Sequence, residues 1–160
     1  MIKILTIEDL DFANRVMKDS EIYPFISDDF SPDKEDFSVE LLIQTDGIYV
    51  FSASENSVII MVPVNGITYD VHVNFTKKDR GQKAVDACMD GFEFAFNETP
   101  AKKLICWIPE TCLNVLHFAE KMGMVQEGLI TKSFQKDGKL YDQYILGITR
   151  EEWKIWLQQR

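Results

Sequence analysis

The sequence predicts one mixed α/β domain: a mostly antiparallel, twisted sheet with a single parallel strand pair and helices on both faces. Three patterns lead there. Between residues 39 and 75 the apolar residues follow a period of two, interrupted by Asp46-Gly47, Glu55-Asn56 and Asn65-Gly66, which are good turn formers. A long helical pattern then joins two strands, and a right-handed crossover of that kind makes the flanking strands parallel. Two last strands flank a turn at Lys136-Asp137-Gly138-Lys139 and form a hairpin. With 160 residues, 46% hydrophobic and 27% charged, the chain fits a single domain spanning 1–160 with room for a sizeable core.

Taken in order, Met1 to Leu5 reads as a short strand. Thr6 followed by Asp9 starts a helix by the capping pattern, with Leu10, Ala13, Val16 and Met17 on its inner face. Residues 20–37 break the regularity. Pro24 and Pro32 end helices, Asp28 and Asp29 favour turns, and Ser31-Pro32 opens a short second helix. The aromatics Tyr23, Phe25 and Phe30 stand among acids here, which suits either a wall receiving a cationic substrate or a loop anchored in the core. Strands are expected at 39–44, 48–54, 57–64 and 67–75. After the long helix Pro100 breaks the chain, and residues 103–109 form a near-continuous apolar strand of the kind covered on both faces. A short helix carrying Leu113, Leu116, Phe118, Ala119 and Met122 ends at Gly123, with His117 an exposed or half-buried helix residue. The chain closes with Thr149 and Glu152 as a capping pair ahead of Trp153, Trp156 and Leu157.

Composition narrows the function. A formal net charge of −9 argues against broad nucleic-acid binding, which needs a cationic surface for phosphates. No apolar run is long enough to cross a bilayer, and the start has too many early acids for a signal peptide, so a cytoplasmic protein without a membrane partner is expected. Cys88, Cys106 and Cys112 form an odd set without a close pair; they read as reduced thiols, with neither a metal site nor a disulfide framework.

The chemistry concentrates between Tyr69 and Phe96. Alternation puts Val71, Val73 and Phe75 on one strand face, and Asp70, His72 and Asn74 on the other. A basic loop of Lys77, Lys78, Asp79, Arg80 and Gly81 leads into a helix with Val85, Cys88, Phe92 and Ala95 along one stripe. A glycine at such a junction lets backbone N–H groups approach a ligand, and the helix N-terminus favours an anion. Phosphate binding is one reading of this turn; a solvated basic loop is the other.

In the order of its elements the chain resembles the GCN5-related N-acetyltransferase (GNAT) superfamily, which carries the acyl-CoA N-acyltransferase fold. The resemblance rests on residues 80–84 (RGQKA) after a strand, residues 118–128 (FAEKMGMVQEG) and residues 136–153 (KDGKLYDQYILGITREEW). The last pattern is similar to the ribosomal-protein and polyamine acetyltransferases and to small phage-encoded members, some labelled head-assembly proteins. The resemblance implies acetyl-CoA as acyl donor. Its pantetheine arm would lie between two splayed strands against Val73, Asn74 and Phe75, and its pyrophosphate on Lys78, Asp79, Arg80, Gly81, Gln82 and Lys83. Asn114 resembles an asparagine that many members place near the pantetheine arm.

Two departures from the family pattern stand out. Lys83 occupies the second small position of the loop, and Ala119 the place of a tyrosine that protonates the leaving thiolate. For the base, His72 is the first candidate, because an imidazole of ordinary pKa about 6.5 suits proton transfer near neutrality; the competing role is a hydrogen bond to a neighbour such as Asp70. Glu110, at the end of the 103–109 strand, is the second. Asp28 and Asp29 are candidate contacts for a cationic amine acceptor. The expected activity is acetyl transfer to an amine. The alternative is a catalytically silent member in a bacterium or phage-infected host that binds or assembles, as a homodimer or with a virion partner.

Overall fold

The computed structural model describes all 160 residues. Seven strands form one sheet: β1 (Lys3–Ile4), β2 (Tyr49–Ser52), β3 (Ser57–Pro63), β4 (Thr68–Phe75), β5 (Lys103–Pro109), β6 (Val125–Lys136) and β7 (Lys139–Thr149), in the spatial order β1-β2-β3-β4-β5-β7-β6. Every neighbouring pair is antiparallel except β4 and β5. The helices are α1 (Leu10–Met17), α2 (Tyr23–Ile26), α3 (Glu40–Gln44), α4 (Gln82–Glu98), α5 (Leu113–Lys121) and α6 (Arg150–Gln159).

Alternation along the strands fills two cores. On one face α4, α5 and α6 cover Phe51, Ile59, Met61, Tyr69, Val71, Leu104, Ile108, Leu146 and Ile148. On the other, Val50, Val58 and Ile60 meet Ala13, Val16 and Met17 of α1, with Leu42 and Ile43 of α3 packed alongside. Full burial of such a side chain contributes about 1.5–3 kcal/mol, so β2 and β3 are clamped from both sides, while β4 and β5 are covered on the α4–α5 face alone. Helix α4 approaches the sheet closely at Gly91, where a Cβ would come within 2.9 Å of Ile59 Cδ1. Both predicted capping pairs form: Thr6 N–H donates to Asp9 Oδ2 (3.1 Å), and Thr149 exchanges bonds with Glu152, N–H to Oε2 at 2.8 Å and Glu152 N–H to Oγ1 at 3.2 Å.

Four expectations change. Strand β5, expected to be covered on both faces, buries Leu104 and Ile108 on one face and leaves Trp107 39% exposed on the other, because the second core is built on β2 and β3 alone. Residues 40–44 are helix α3, not a strand. The segment is too short for periodicity to choose. Its start is held by Val39 N–H on Asn14 Oδ1 (3.0 Å) and Glu40 N–H on Ser38 Oγ (3.2 Å). Ser31-Pro32 opens no helix, because the Ser31 hydroxyl turns back to Asp28 Oδ1 at 2.9 Å and closes a local turn. The short helix lies earlier, at α2, and Pro24 sits in its first turn, where the missing N–H costs nothing, instead of ending a helix.

One register decides the rest. Strands β4 and β5 pair only over Thr68↔Lys103, Tyr69↔Leu104 and Asp70↔Ile105. Beyond that point β4 follows β3 down to Ser57↔Phe75, while β5 follows β7 to Pro109↔Gln143. Each strand stays committed to its outer neighbour, and the two diverge. Strand β6 is irregular against β7 between Gln126 and Gly128 and between Ile130 and Phe134, and such bulges increase twist.

Candidate active site

The divergence leaves a wedge in the middle of the sheet. Val71 to Phe75 bond only toward β3 and Cys106 to Pro109 only toward β7, so the two inner edges carry backbone donors and acceptors without a strand partner. An extended molecule can pair there as an added strand does. Val73 and Phe75 pack toward the α4–α5 core, and Phe75 meets Phe118 of α5 edge-on at 6.3 Å. The buried Asn74 side chain donates to Val58 O (3.2 Å) and is spent on the sheet, which leaves its backbone as the part facing a ligand.

At the wide end the chain turns through Lys77–Asp79 into α4. Gly81 has φ 76 and ψ −133, a conformation that side chains rarely adopt, and a Cβ there would meet nothing within 4 Å. The helix N-terminus therefore opens onto free space with its first N–H groups unpaired. The loop is held from below by Asp79, 4% exposed, which accepts from the Ser54 hydroxyl. Lys83 answers the question raised by its place in the loop, since its Nζ leans to Asp79 Oδ1 at 3.8 Å. Glu21 takes Arg80 at 3.2 Å and Lys77 at 3.6 Å. Lys78 alone of the cluster has no acid partner. Gln82 donates to Asp86 (2.8 Å). Thr76 Oγ1, at the head of the turn, is buried without a hydrogen-bond partner. An open helix N-terminus, a free lysine and an orphaned hydroxyl together fit an anionic group such as a pyrophosphate.

At the narrow end His72 extends from β4 on the face shared with Ile60, its side chain half exposed. Its Nε2 stands 3.3 Å from Asp70 Oδ2, at the last residue of the parallel register. Glu110 is engaged elsewhere: its Oε1 accepts from Asp142 N–H (3.1 Å) while its own N–H donates to Asp142 O (2.9 Å), tying β5 to β7. Asn114 is exposed in the first turn of α5. Ala119 is buried in the α4–α5 core, so α5 brings no phenol to the wedge.

Asp28 and Asp29 both serve the chain. Asp28 caps its own turn, accepting from Phe30 N–H and the Ser31 hydroxyl, each at 2.9 Å. Asp29 reaches across to the β6–β7 turn, where it accepts from Asp137 N–H (2.6 Å), Gly138 N–H (2.9 Å) and Gln135 Nε2 (3.0 Å). Lys136 completes that clamp through the carbonyls of Pro24 and Ser27. The Gly138 backbone bond foremost, then Gln135, holds the Asp29 carboxyl below the usual aspartate range. A depressed carboxylate contributes stability that is present above its unfolded pKa and lost as pH falls through the folded one. The melting-temperature difference between the wild type and Asp29→Asn is therefore expected to be full above about pH 4 and to shrink below it, as followed by thermal melts across pH.

Burial, with the charge of Asp70 second, pushes the Cys106 thiol up to about 12, and burial raises Cys88 further still. Neither supplies a thiolate nucleophile near neutrality. Sequence reasoning passed over Glu21 and Ser54, whose roles depend on contacts distant in the chain. Asp70 was legible only as a neighbour of His72, through the period of the strand.

No family model matches the sequence, and no curated protein matches it either. Solved structures do match in shape. The spermidine N-acetyltransferase of Vibrio cholerae in complex with CoA and spermine aligns with a TM-score of 0.78 at 14% identity, over 96% of this chain and 97% of that one. A chimera of the Vibrio cholerae spermidine N-acetyltransferase SpeG and hSSAT gives 0.76 at 16% identity, over 96% and 99%. A protein provisionally assigned as a phosphinothricin N-acetyltransferase gives 0.73 at 22%, over 93% and 97%. This is the GNAT acetyltransferase fold. The match spans almost the whole of each chain. No helix of the GNAT-fold chain is long and apolar enough to cross a membrane.

Proposed function

We propose that the protein transfers the acetyl group of acetyl-CoA to an amine. The observation that carries this reading is the parallel register that stops at Asp70↔Ile105 and opens a wedge ending at the Gly81 helix N-terminus. The wedge would hold the pantetheine arm along the free edges of β4 and β5, with Lys78, the Thr76 hydroxyl and the first N–H groups of α4 taking the pyrophosphate. Bound acetyl-CoA supplies an activated acyl group as a thioester. The chain's own work is then small. His72 takes the proton that the amine must lose before it attacks the thioester carbon. As the C–N bond forms and the C–S bond breaks, backbone N–H groups at the wedge edge stabilise the charge on the carbonyl oxygen. With alanine at position 119, water is left to protonate the departing thiolate.

The acceptor is an amine of low molecular weight or on a protein. The structural neighbour crystallised with spermine makes polyamines the first class to try. The Asp28 and Asp29 carboxylates, spent on turns, contribute through the shape of the 22–32 loop more than through free charge. The test is thiol release from acetyl-CoA with a panel of polyamines, amino acids and peptide amines at several pH values. Turnover above background hydrolysis is expected for at least one amine, and His72→Ala should lower kcat by roughly 10²–10⁴-fold. A folded protein with no amine-dependent thiol release across the panel would contradict the reading.

A further inference from the structure

The Asp70–His72 pair has a feature that stability does not explain. Asp70 Oδ1 is buried and has no hydrogen-bond partner, while Oδ2 stands 3.3 Å from His72 Nε2. A buried carboxylate oxygen without a donor destabilises the fold. Asp70 ends the parallel register and so lies at the apex of the wedge. On its two sides, Val62 across on β3 and Ile105 on β5 are apolar, and no other acid lies within ion-pair distance of His72. Neither neighbouring strand residue offers Asp70 a charged or hydrogen-bonding side chain.

We propose that Asp70 is a positioning residue for His72. Resting on the acetyl-transfer reading, the inference is that a small turn of the ring from its 3.3 Å contact lets the carboxylate accept Nε2–H and fixes the neutral ring in one tautomer, leaving Nδ1 as the lone-pair nitrogen that receives the amine's proton. A ring nitrogen is an acceptor only when the other carries the hydrogen. When Nδ1 takes the proton, both ring nitrogens are donors and the imidazolium stands beside a carboxylate that stabilises it. The proton leaves the amine, the nitrogen keeps its electron pair for the carbonyl carbon, and no further reactant is needed. Asp70 touches neither amine nor acyl group in this scheme; it acts through the ring.

The test joins a spectroscopic readout with kinetics. The chain has two histidines, His72 and His117, so ¹⁵N-labelled imidazole spectra are assignable with a single His117→Gln variant. In the wild type at high pH the neutral His72 ring is expected as the Nε2–H form. In Asp70→Ala that preference should be lost. In Asp70→Asn the amide can donate to Nε2 and favour the other tautomer. Both variants should melt no lower than the wild type, bind acetyl-CoA with unchanged Kd, and show kcat lowered on the order of 10²-fold. Asp70→Glu should recover part of that loss. A His72 ring still wholly Nε2–H in Asp70→Ala, or a kcat within twofold of wild type in Asp70→Asn, would overturn the assignment. Absence of amine-dependent turnover in the wild type itself would instead overturn the acetyl-transfer reading and the catalytic role with it, whatever the spectra show.

Discussion

Gly81→Glu is expected to abolish measurable acetyl-CoA binding while leaving the fold intact. Two effects add. The glycine holds φ 76 and ψ −133 at the N-cap of α4, and a side chain in such a region costs about 1–3 kcal/mol, which tilts the loop away from the geometry that presents its N–H groups. The new carboxylate then stands at a helix N-terminus, satisfying the donors that a pyrophosphate would use and repelling it. Because a Cβ at position 81 meets nothing within 4 Å, the substitution adds no clash with the core. An affinity loss of at least roughly 100-fold, about 2.7 kcal/mol, should appear in calorimetry, with the circular dichroism spectrum unchanged. Lys78→Ala removes only the unpaired cation and should weaken binding by a smaller factor. Wild-type affinity in Gly81→Glu would mean that any CoA site lies elsewhere.

The largest stability effect is expected at Gly123. It has φ 85 just beyond α5, and a Cβ there would fall 2.7 Å from Cγ and Cδ1 of Trp156. That ring stacks on Trp153 at 4.9 Å, and Trp153 in turn packs edge-on against Phe92 of α4 at 5.2 Å. Gly123 is therefore the point where the turn after α5 touches the aromatic seam joining α6 to α4. Gly123→Ala combines a left-handed backbone cost of about 1–2 kcal/mol with overpacking of about 1–3 kcal/mol. A loss of about 2–5 kcal/mol corresponds to a fall in Tm of roughly 4–20 °C for a domain of this size. Gly66→Ala is the control: a Cβ there meets nothing within 4 Å and the φ is not positive, so a change within about 0.5 kcal/mol is expected. Urea denaturation of the two variants distinguishes them.

Much of this molecule can be read from local sequence, and the limit falls where partners are distant. The strand, basic loop and helix between Tyr69 and Phe96 were legible because the apolar period changes from two to three and four within a few residues. The β6–β7 hairpin was legible because Asp137 and Gly138 both accept positive φ, here 51 and 73, which a two-residue turn requires. Helix α3 escaped because five residues rich in leucine and isoleucine fit either period, and its start is decided by Asn14, far upstream. Asp28 and Asp29 were legible as turn formers, and the turn at Asp28 is local, but nothing local shows that the hairpin tip, more than a hundred residues on, supplies donors to Asp29 and takes it from a cationic substrate. The same holds for Glu21, which pairs with both Arg80 and Lys77 and leaves Lys78 without an acid partner. The wedge itself is a property of register. Neither β4 nor β5 carries a residue that announces divergence; the strands part because each keeps faith with its outer neighbour.

The central claim is that this wedge and the Gly81 loop hold acetyl-CoA, and it is tested most directly by calorimetric titration of the wild-type protein with acetyl-CoA, using desulfo-CoA as the ligand that lacks the thiol. Micromolar binding of both, one molecule per chain and mutually competitive, is the expected result. No heat of binding at millimolar acetyl-CoA, with the protein folded, would contradict it.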